Sequence, residues 1–123
     1  MLKEKNRKET SILTDQVIEA MQEKKGYDIV TLDLSKIENS VCKMFVICHG
    51  TSKTQVGAIS DEVYAYVKKN NGQTPWHMEG YQNAEWILLD YVDVVVHVFT
   101  EETRKFYNLE GLWADAEKKV IND

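Results

Sequence analysis

The sequence feature that most restricts the fold is the segment CKMFVIC, residues 42–48. Its apolar residues occupy both sides of an extended chain, with Met44 and Val46 on one side and Phe45 and Ile47 on the other. A strand of this kind is typical of the middle of a sheet that is covered on both faces. The segment therefore predicts an α/β protein that is built around this strand.

Hydrophobic periodicity places the other elements around this strand. The predicted helices run from about Ile12 to Lys25, from Lys53 to Asn70, and onward from Thr100. The other predicted strands are 28–34, 84–91 and 93–99. Residues 1–10 are charged and are expected to form a flexible lead-in. The result is one domain, 11–123, with the order α-β-β-α-β-β-α and a mixed central sheet flanked by helices.

Several residues have the types that begin or end helices. Ser11 or Thr14 is the candidate N-cap of the first helix, and Gly26 is its candidate stop. Thr100 is the candidate N-cap of the last helix. Glu101 and Glu102 follow it in the first turn, where the helix dipole favours acidic side chains. Gly111 is the position at which this last helix is expected to bend or divide.

Composition argues against several classes of protein. Lys plus Arg is 15 and Asp plus Glu is 20, so the net charge of −5 suits a basic partner better than nucleic acid. No apolar run approaches the roughly 20 residues of a membrane helix, and MLKEKNRKE lacks the apolar core of a signal peptide. Cys42 and Cys48 fall in one predicted strand, about 20 Å apart, which is beyond disulfide reach. Free thiols and a cytoplasmic location are therefore expected.

The segment FVICHGTS, residues 45–52, leads from the central strand into the second helix and could form a phosphate-binding loop. Such loops gather several backbone N–H groups with two or more glycines, whereas this turn has Gly50 alone. Ser52 and Gln55 instead form the S-x-x-Q pattern of a capping box. A capping turn is favoured, with anion binding and catalysis as the alternatives. Gly50 is expected to allow the backbone angle of a tight turn.

A strand that ends in glycine and a hydroxyl residue before a helix is also typical of the nucleotidyltransferase fold. Those enzymes hold two metal ions with paired carboxylates, for which Asp90 and Asp93 are the candidates here. Residues three apart on a continuous strand face opposite sides, which favours turn acids instead. His49, His77 and His97 are scattered, and a metal site would need further ligands. We therefore predict no enzyme activity, cofactor or metal. The alternative is a metal-dependent nucleotidyltransferase that uses Asp90 and Asp93.

Aromatic and acidic residues are interleaved near the third and fourth predicted strands. The residues are Trp76, Tyr81, Trp86 and Tyr91, together with Glu79, Glu85, Asp90 and Asp93. Trp and Tyr surrounded by acids are typical anchors of protein interfaces. The alternative is that Trp86 and Tyr91 belong to the core.

These segments together resemble the ribosomal silencing factor family (RsfS, also called Iojap). The matching motifs are Leu32-Asp33-Leu34, FVICHGTS at 45–52, EG at 79–80, AEWILLDYVDVVVHVF at 84–99, and E-x-R-x-F-Y-x-L-E-x-L-W from Glu102 to Trp113. The resemblance covers about residues 12–117, and the ordered set is specific although each motif alone is weak. Lys43-Met44 departs from the Asp-Tyr that is common in the family, and Val92 replaces a small residue.

The resemblance implies a nucleotidyltransferase-like fold that lacks the catalytic machinery. It implies binding to the large ribosomal subunit through its protein numbered fourteen, at the face where the small subunit docks. Occupying that face would block subunit joining and lower translation when nutrients are short. The family's binding surface includes the tryptophan of the AEW segment, Trp86, and we extend this surface to Glu79, Glu85, Tyr91 and Asp93. A homodimer of the free protein, formed through an exposed strand, is a further alternative.

Overall fold

Helix α1 runs from Leu2 to Glu23 in the computed structural model, which describes residues 2–122 and the side chains of residues 6–122. The sequence predicted a helix only from about Ile12, so the helix begins about ten residues earlier and includes the expected lead-in. The reason is local, because this segment is rich in Lys, Glu and Arg and contains no Gly or Pro. Helix propensity alone therefore continues α1 beyond its amphipathic part.

The N-cap predicted for α1 is wrong, because both Ser11 and Thr14 lie inside the helix. The Thr14 hydroxyl donates to the Thr10 carbonyl at 2.7 Å. This bond to the residue four positions earlier is a usual partner for a threonine inside a helix. Thr14 therefore satisfies its own hydroxyl and does not begin the helix.

The end of α1 uses Gly26 differently from the prediction. Lys25 takes the left-handed φ of 58°, and the Gly26 N–H donates to the Met21 carbonyl at 2.8 Å, which closes the helix. Gly26 is needed for close approach, because a Cβ there would lie 3.0 Å from Cys48 Sγ. The glycine lets α1 pack tightly against the central strand.

The remaining elements surround one sheet. In chain order they are β1 Tyr27–Asp33, β2 Met44–Gly50, α2 Lys53–Asn71, β3 His77–Glu79, β4 Trp86–Asp90, β5 Val94–Thr100, α3 Glu101–Tyr107, α4 Leu109–Leu112 and β6 Glu117–Val120. The strand order across the sheet is β3-β4-β5-β2-β1-β6. β2 and β5 are parallel, and the other neighbours are antiparallel. The predicted mixed sheet and the central place of the segment MFVIC are confirmed, whereas the nucleotidyltransferase-like description stays a prediction.

The order of elements differs from the prediction near both edges of the sheet. β3 lies in a stretch that was expected to be irregular, and β6 lies where the last helix was expected to continue. Every side chain of these two edge strands is exposed, so neither shows the alternation by which strands are recognised. The last helix divides at Asn108, whose φ is 47°, rather than at Gly111. The observed order is α-β-β-α-β-β-β-α-α-β.

The sheet separates two apolar clusters. One face packs against α1 and α2, through fully buried side chains that include Val17, Met21, Ile59 and Val63. Burial of each such side chain stabilises the fold by about 1.5–3 kcal/mol. The opposite face is called here the Trp86 face and is partly covered by the segments after β5. It carries Phe45, Trp86, Leu88, His97 and Phe99 on neighbouring strands.

Both cysteines are buried and free, as the spacing predicted. Cys42 precedes β2 and belongs to the cluster on the Trp86 face, whereas Cys48 lies in the cluster beneath α1 and α2. The sheet itself therefore keeps the two thiols apart. Among residues 2–122, none of the helices combines the length and the apolar character that crossing a membrane requires.

Candidate protein-interaction surface

The turn between β2 and α2 caps a helix. Ser52 Oγ accepts a hydrogen bond from the Gln55 N–H at 3.1 Å, as the capping box predicted. The Gln55 side chain accepts from the Thr51 N–H at 2.7 Å, one residue before the expected position. Gly50 has no left-handed φ, contrary to the prediction, and its role is steric. A Cβ there would lie 3.2 Å from the Gln55 side chain and from the Val56 nitrogen.

The cleft beside this turn does not suit an anion. It measures about 360 Å³ and is lined by Lys53, Glu85, Glu101 and Glu102, together with four hydroxyl residues. Lys53 Nζ lies 3.5 Å from Glu85 Oε1, so the cation of this cleft already has a carboxylate partner. The surplus of carboxylates repels phosphate groups. These contacts favour the capping turn over the anion-binding alternative.

The two acids of the transferase alternative serve the turn between β4 and β5. Asp90 Oδ1 accepts from the Val92 N–H at 2.7 Å and supports the positive φ of 77° at Val92. Asp93 Oδ2 lies 3.8 Å from Lys43 Nζ. Within the part of the chain that the structure describes, no group of three or more His, Cys, Asp and Glu residues could hold a metal ion. The contacts favour turn acids, and the absence of enzyme activity stays a prediction.

Trp86 lies at the start of β4 with its indole half-buried. Its ring stacks on Phe99, with centroids 5.0 Å apart, and contacts Tyr107 of α3 at 4.8 Å. Its Nε1–H donates to His97 Nδ1 at 3.0 Å. Two aromatic contacts and one directed hydrogen bond therefore hold the indole, while part of its surface stays accessible.

The accessible part of Trp86 continues into exposed aromatic residues of α3. Phe106 is 80% exposed, Tyr107 is 51% exposed, and their rings lie 5.0 Å apart. We call Trp86, Phe106 and Tyr107 the aromatic surface. Helical spacing placed Phe106 on an apolar stripe, but α3 is only seven residues long and its side chains are not buried. Neither Phe106 nor Tyr107 was predicted to contact a partner, although both belong to the E-x-R-x-F-Y motif.

Two of the predicted acidic contact residues lie next to Trp86. Glu79 ends β3 directly before Gly80, and Glu85 precedes Trp86 in the chain. Both carboxylates are exposed, and Glu85 pairs with Lys53. Gly80 has a φ of 91°, and a Cβ there would lie only 1.9 Å from the Trp86 carbonyl oxygen. Gly80 therefore allows the chain to pass close to the backbone of Trp86. The EG motif at 79–80 marked this glycine in the sequence.

The other two predicted contact residues lie elsewhere. Tyr91, the residue after β4, is 6% exposed and packs into the cluster beneath α1 and α2, because it continues the parity of Leu89 rather than that of Trp86. This burial favours the alternative that Tyr91 belongs to the core, and a contact of Tyr91 with a partner stays a prediction. Asp93 lies beyond the last residue of β4, Asp90, which is about 13 Å along the strand from Trp86. Its charge is offset by Lys43, the residue that departs from the family pattern.

His97 lies in the middle of the Trp86 face. It is 3% exposed, and burial lowers its pKa to about 3, so the imidazole is neutral. Because Nδ1 accepts from Trp86, the single proton sits on Nε2. Nε2 is buried, and no hydrogen-bond partner for it exists among the described residues. An unsatisfied buried donor costs about 1–3 kcal/mol.

His49 takes part in a separate polar contact near the end of β2. Arg104 Nη1 lies 3.0 Å from His49 Nδ1, and Arg104 Nε donates to Glu110 at 3.0 Å. Burial, followed by the charge of Arg104, lowers the pKa of His49. The adjoining cleft of about 730 Å³ also contains Tyr27, whose ring stacks on His49. Arg104 therefore joins α3 and α4 to the sheet and is occupied by contacts within the chain.

Comparisons with known proteins agree with the motif resemblance. The family model described as ribosomal silencing factor during starvation matches residues 6–123. The chain is similar to ribosomal silencing factor RsfS of Bacillus subtilis (strain 168), with 45% identity over 97 residues, which are 79% of this chain and 80% of that protein. The RsfS of Halalkalibacterium halodurans is 42% identical over 99 residues, which are 80% and 83% of the two chains. A crystal structure of a Chromobacterium violaceum protein has a TM-score of 0.80 and 32% identity over 92% of each chain. The chain therefore belongs to the ribosomal silencing factor family.

Proposed function

We propose that this protein binds the large ribosomal subunit at the face where the small subunit docks and thereby prevents the two subunits from joining. The contact is made with the large-subunit protein numbered fourteen, in the cytoplasm, and translation is lowered when nutrients are short. Membership of the ribosomal silencing factor family supports this proposal. The aromatic surface supplies the physical observation that carries it.

The aromatic surface has the composition of an interface anchor. Trp86 is half-buried and held in place, while Phe106 is largely exposed to water and Tyr107 is about half exposed. Trp and Tyr are enriched among the few residues that contribute most of the energy of a protein interface. Covering these rings with a partner removes apolar surface from water, which favours association.

Charge favours a basic protein partner over RNA. The chain carries a net charge of −5. Exposed Glu79 lies on β3, where it contacts His77, and exposed Glu85 precedes Trp86 in the chain and pairs with Lys53. Carboxylates near an aromatic anchor attract basic side chains and raise the rate of encounter. The same carboxylates repel the phosphates of ribosomal RNA. A basic ribosomal protein therefore suits this surface better than the RNA around it.

Silencing by this route needs no chemistry. A chain of 123 residues has a radius of gyration of about 14 Å and is therefore roughly 35 Å across. Direct contacts between subunits require atoms within a few ångströms of each other. A domain of this size on the joining face keeps the subunits apart by its volume. Binding strength, rather than turnover, then determines how strongly translation is repressed.

Sedimentation of ribosomal subunits in a sucrose gradient tests the proposal. The purified protein should travel with large subunits and prevent their joining to small ones. Trp86→Ala should weaken large-subunit binding by about 30-fold or more, because truncation of an interface anchor costs about 2 kcal/mol or more. Association of the wild-type protein with neither subunit, or unchanged joining, would refute the proposal.

Trp76→Ala is the matched control. The side chain of Trp76 is exposed, 82% by residue, and its backbone N–H donates to the Asp90 carbonyl, at the end of β4 that lies away from Trp86. The control variant should bind like the wild type, since it removes an equally large aromatic ring from a different surface. Equal losses in both variants would show that the aromatic surface is not the docking site. Sedimentation of the free protein, run in parallel, reports whether it is a homodimer before binding.

A further inference from the structure

We infer that His97 is a positioning residue that orients Trp86 for its partner. This inference rests on the proposed function, and it assigns a role to a buried side chain that does not itself reach the partner. The observation is the hydrogen bond from Trp86 Nε1–H to His97 Nδ1, 3.0 Å long, between two neighbouring strands. His97 thereby determines which edge of the indole faces outward.

The aromatic contacts of Trp86 do not by themselves fix its orientation. Phe99 and Tyr107 lie against the indole at centroid distances of 5.0 and 4.8 Å. Aromatic pairs accept a range of offset and tilted arrangements, so these contacts allow several settings of the Trp86 side-chain torsions. A hydrogen bond is directional and selects one of these orientations. His97 supplies that bond.

The protonation of His97 indicates that hydrogen bonding, rather than packing, explains its presence. Its Nε2–H is buried with no partner among the described residues, although Phe45 packs edge-on at 4.6 Å. An apolar residue of similar size would fill the same space without burying an unsatisfied donor. Histidine brings this unfavourable donor, but it also brings an acceptor atom that an apolar residue lacks. That acceptor, Nδ1, is directed at Trp86.

Holding Trp86 in advance strengthens binding without adding a contact. A half-buried side chain that samples several orientations loses this freedom when a partner covers it, which weakens association. The bond to His97 removes that loss before binding. Loss of this bond should therefore change two measurable quantities, the affinity for the large subunit and the environment of the indole N–H.

The experiment uses the full chain in three forms: wild type, His97→Phe and His97→Gln. The Phe variant keeps an aromatic ring but has no acceptor, whereas the Gln variant keeps an acceptor oxygen on a flexible side chain. The indole N–H resonance of Trp86 is followed by ¹⁵N NMR and is assigned with Trp86→Phe. Large-subunit affinity is measured by sedimentation. We expect His97→Phe to shift the Trp86 resonance and to weaken binding by up to about tenfold, the effect of having to order one side chain at the interface. His97→Gln should restore much of both.

Three results would overturn the inference. One is an unchanged Trp86 resonance in a folded His97→Phe variant. Another is wild-type binding by His97→Phe together with weak binding by Trp86→Ala. This second result would refute the role of His97 but not the proposed function. If His97→Phe does not fold, Trp86→Phe decides, because it removes the N–H and keeps an aromatic ring. Wild-type affinity of Trp86→Phe would then show that the bond is unnecessary, and an affinity about tenfold weaker would support it.

A double-mutant cycle separates positioning from general damage. If His97 acts through Trp86, the binding effects of Trp86→Phe and His97→Phe should not add, because either change removes the same bond. Additive losses would mean that His97 affects binding through another route. Should even Trp86→Ala leave binding unchanged, the docking surface itself is wrong, and the NMR measurement still tests whether His97 orients the indole.

Discussion

Burial of neutral His97 predicts that the protein loses stability in mild acid. Its pKa is about 3 in the folded protein, against 6.5 as the ordinary value. Between these two values the unfolded chain binds a proton that the folded protein does not bind. The contribution to the free energy of unfolding is therefore complete above pH 6.5 and is lost as the pH falls toward 3. At pH 5 the loss from this residue is about 2 kcal/mol, which is 1.5 pH units at about 1.36 kcal/mol each.

Urea unfolding at pH 7 and pH 5, followed by circular dichroism, measures this loss. Between pH 7 and pH 5 the free energy of unfolding of the wild type should fall by about 2 kcal/mol more than that of His97→Gln, whose side chain cannot bind the proton. His49, whose pKa is also lowered by burial, titrates in both proteins and cancels from the comparison. The difference between the two proteins therefore isolates His97.

His77→Gln is the control, because it removes an exposed imidazole on β3 that lies outside both apolar clusters. If this control reduces the pH dependence as much as His97→Gln does, the effect does not come from burial. Equal pH dependence in the wild type and His97→Gln would refute the reasoning directly. It would mean that the folded protein binds the proton as readily as the unfolded chain does.

Other predictions test the supports of the surface and the core. Ser52→Ala should lower the free energy of unfolding by about 1 kcal/mol in urea, through loss of the cap of α2, and leave subunit binding unchanged. Gly80→Ala should reduce both stability and binding, because its Cβ would displace the Trp86 carbonyl. In contrast, Gly72→Ala, with a φ of 72° but no neighbouring atom within 4 Å, should reduce stability alone. Cys48, whose pKa burial raises to about 12, should react with a thiol reagent only as fast as the protein unfolds, as seen by mass spectrometry.

Sequence reasoning predicted well where the signal depends on residues close together in the chain. The central strand was identified because its apolar residues occupy both parities, and its burial on both faces follows from that pattern. The caps at Ser52 and Thr100 were identified because a capping hydrogen bond spans three residues. These elements position the aromatic surface, so much of its scaffold could be predicted. Trp86 itself was found through the family motif.

Sequence reasoning failed where pairing across the sheet decides the outcome. β3 and β6 consist of exposed side chains, and only hydrogen bonds to distant strands make them strands. The sequence also left open whether Tyr91 belongs to the core, because a run of alternating residues does not say which face carries the larger helices. Phe106 had helical apolar spacing, yet α3 has only seven residues and buries none of its side chains.

By itself, the sequence determined the class of fold, the position of the central strand, the N-caps of α2 and α3, and the family. Each of these depends on short-range periodicity, local hydrogen bonding or an ordered set of motifs. Only the tertiary structure decided that His97 reaches Trp86, that Gly80 abuts its backbone, and that Phe106 and Tyr107 extend its surface. Those contacts join residues on different strands and on α3. They depend on strand register and packing, which no local pattern encodes.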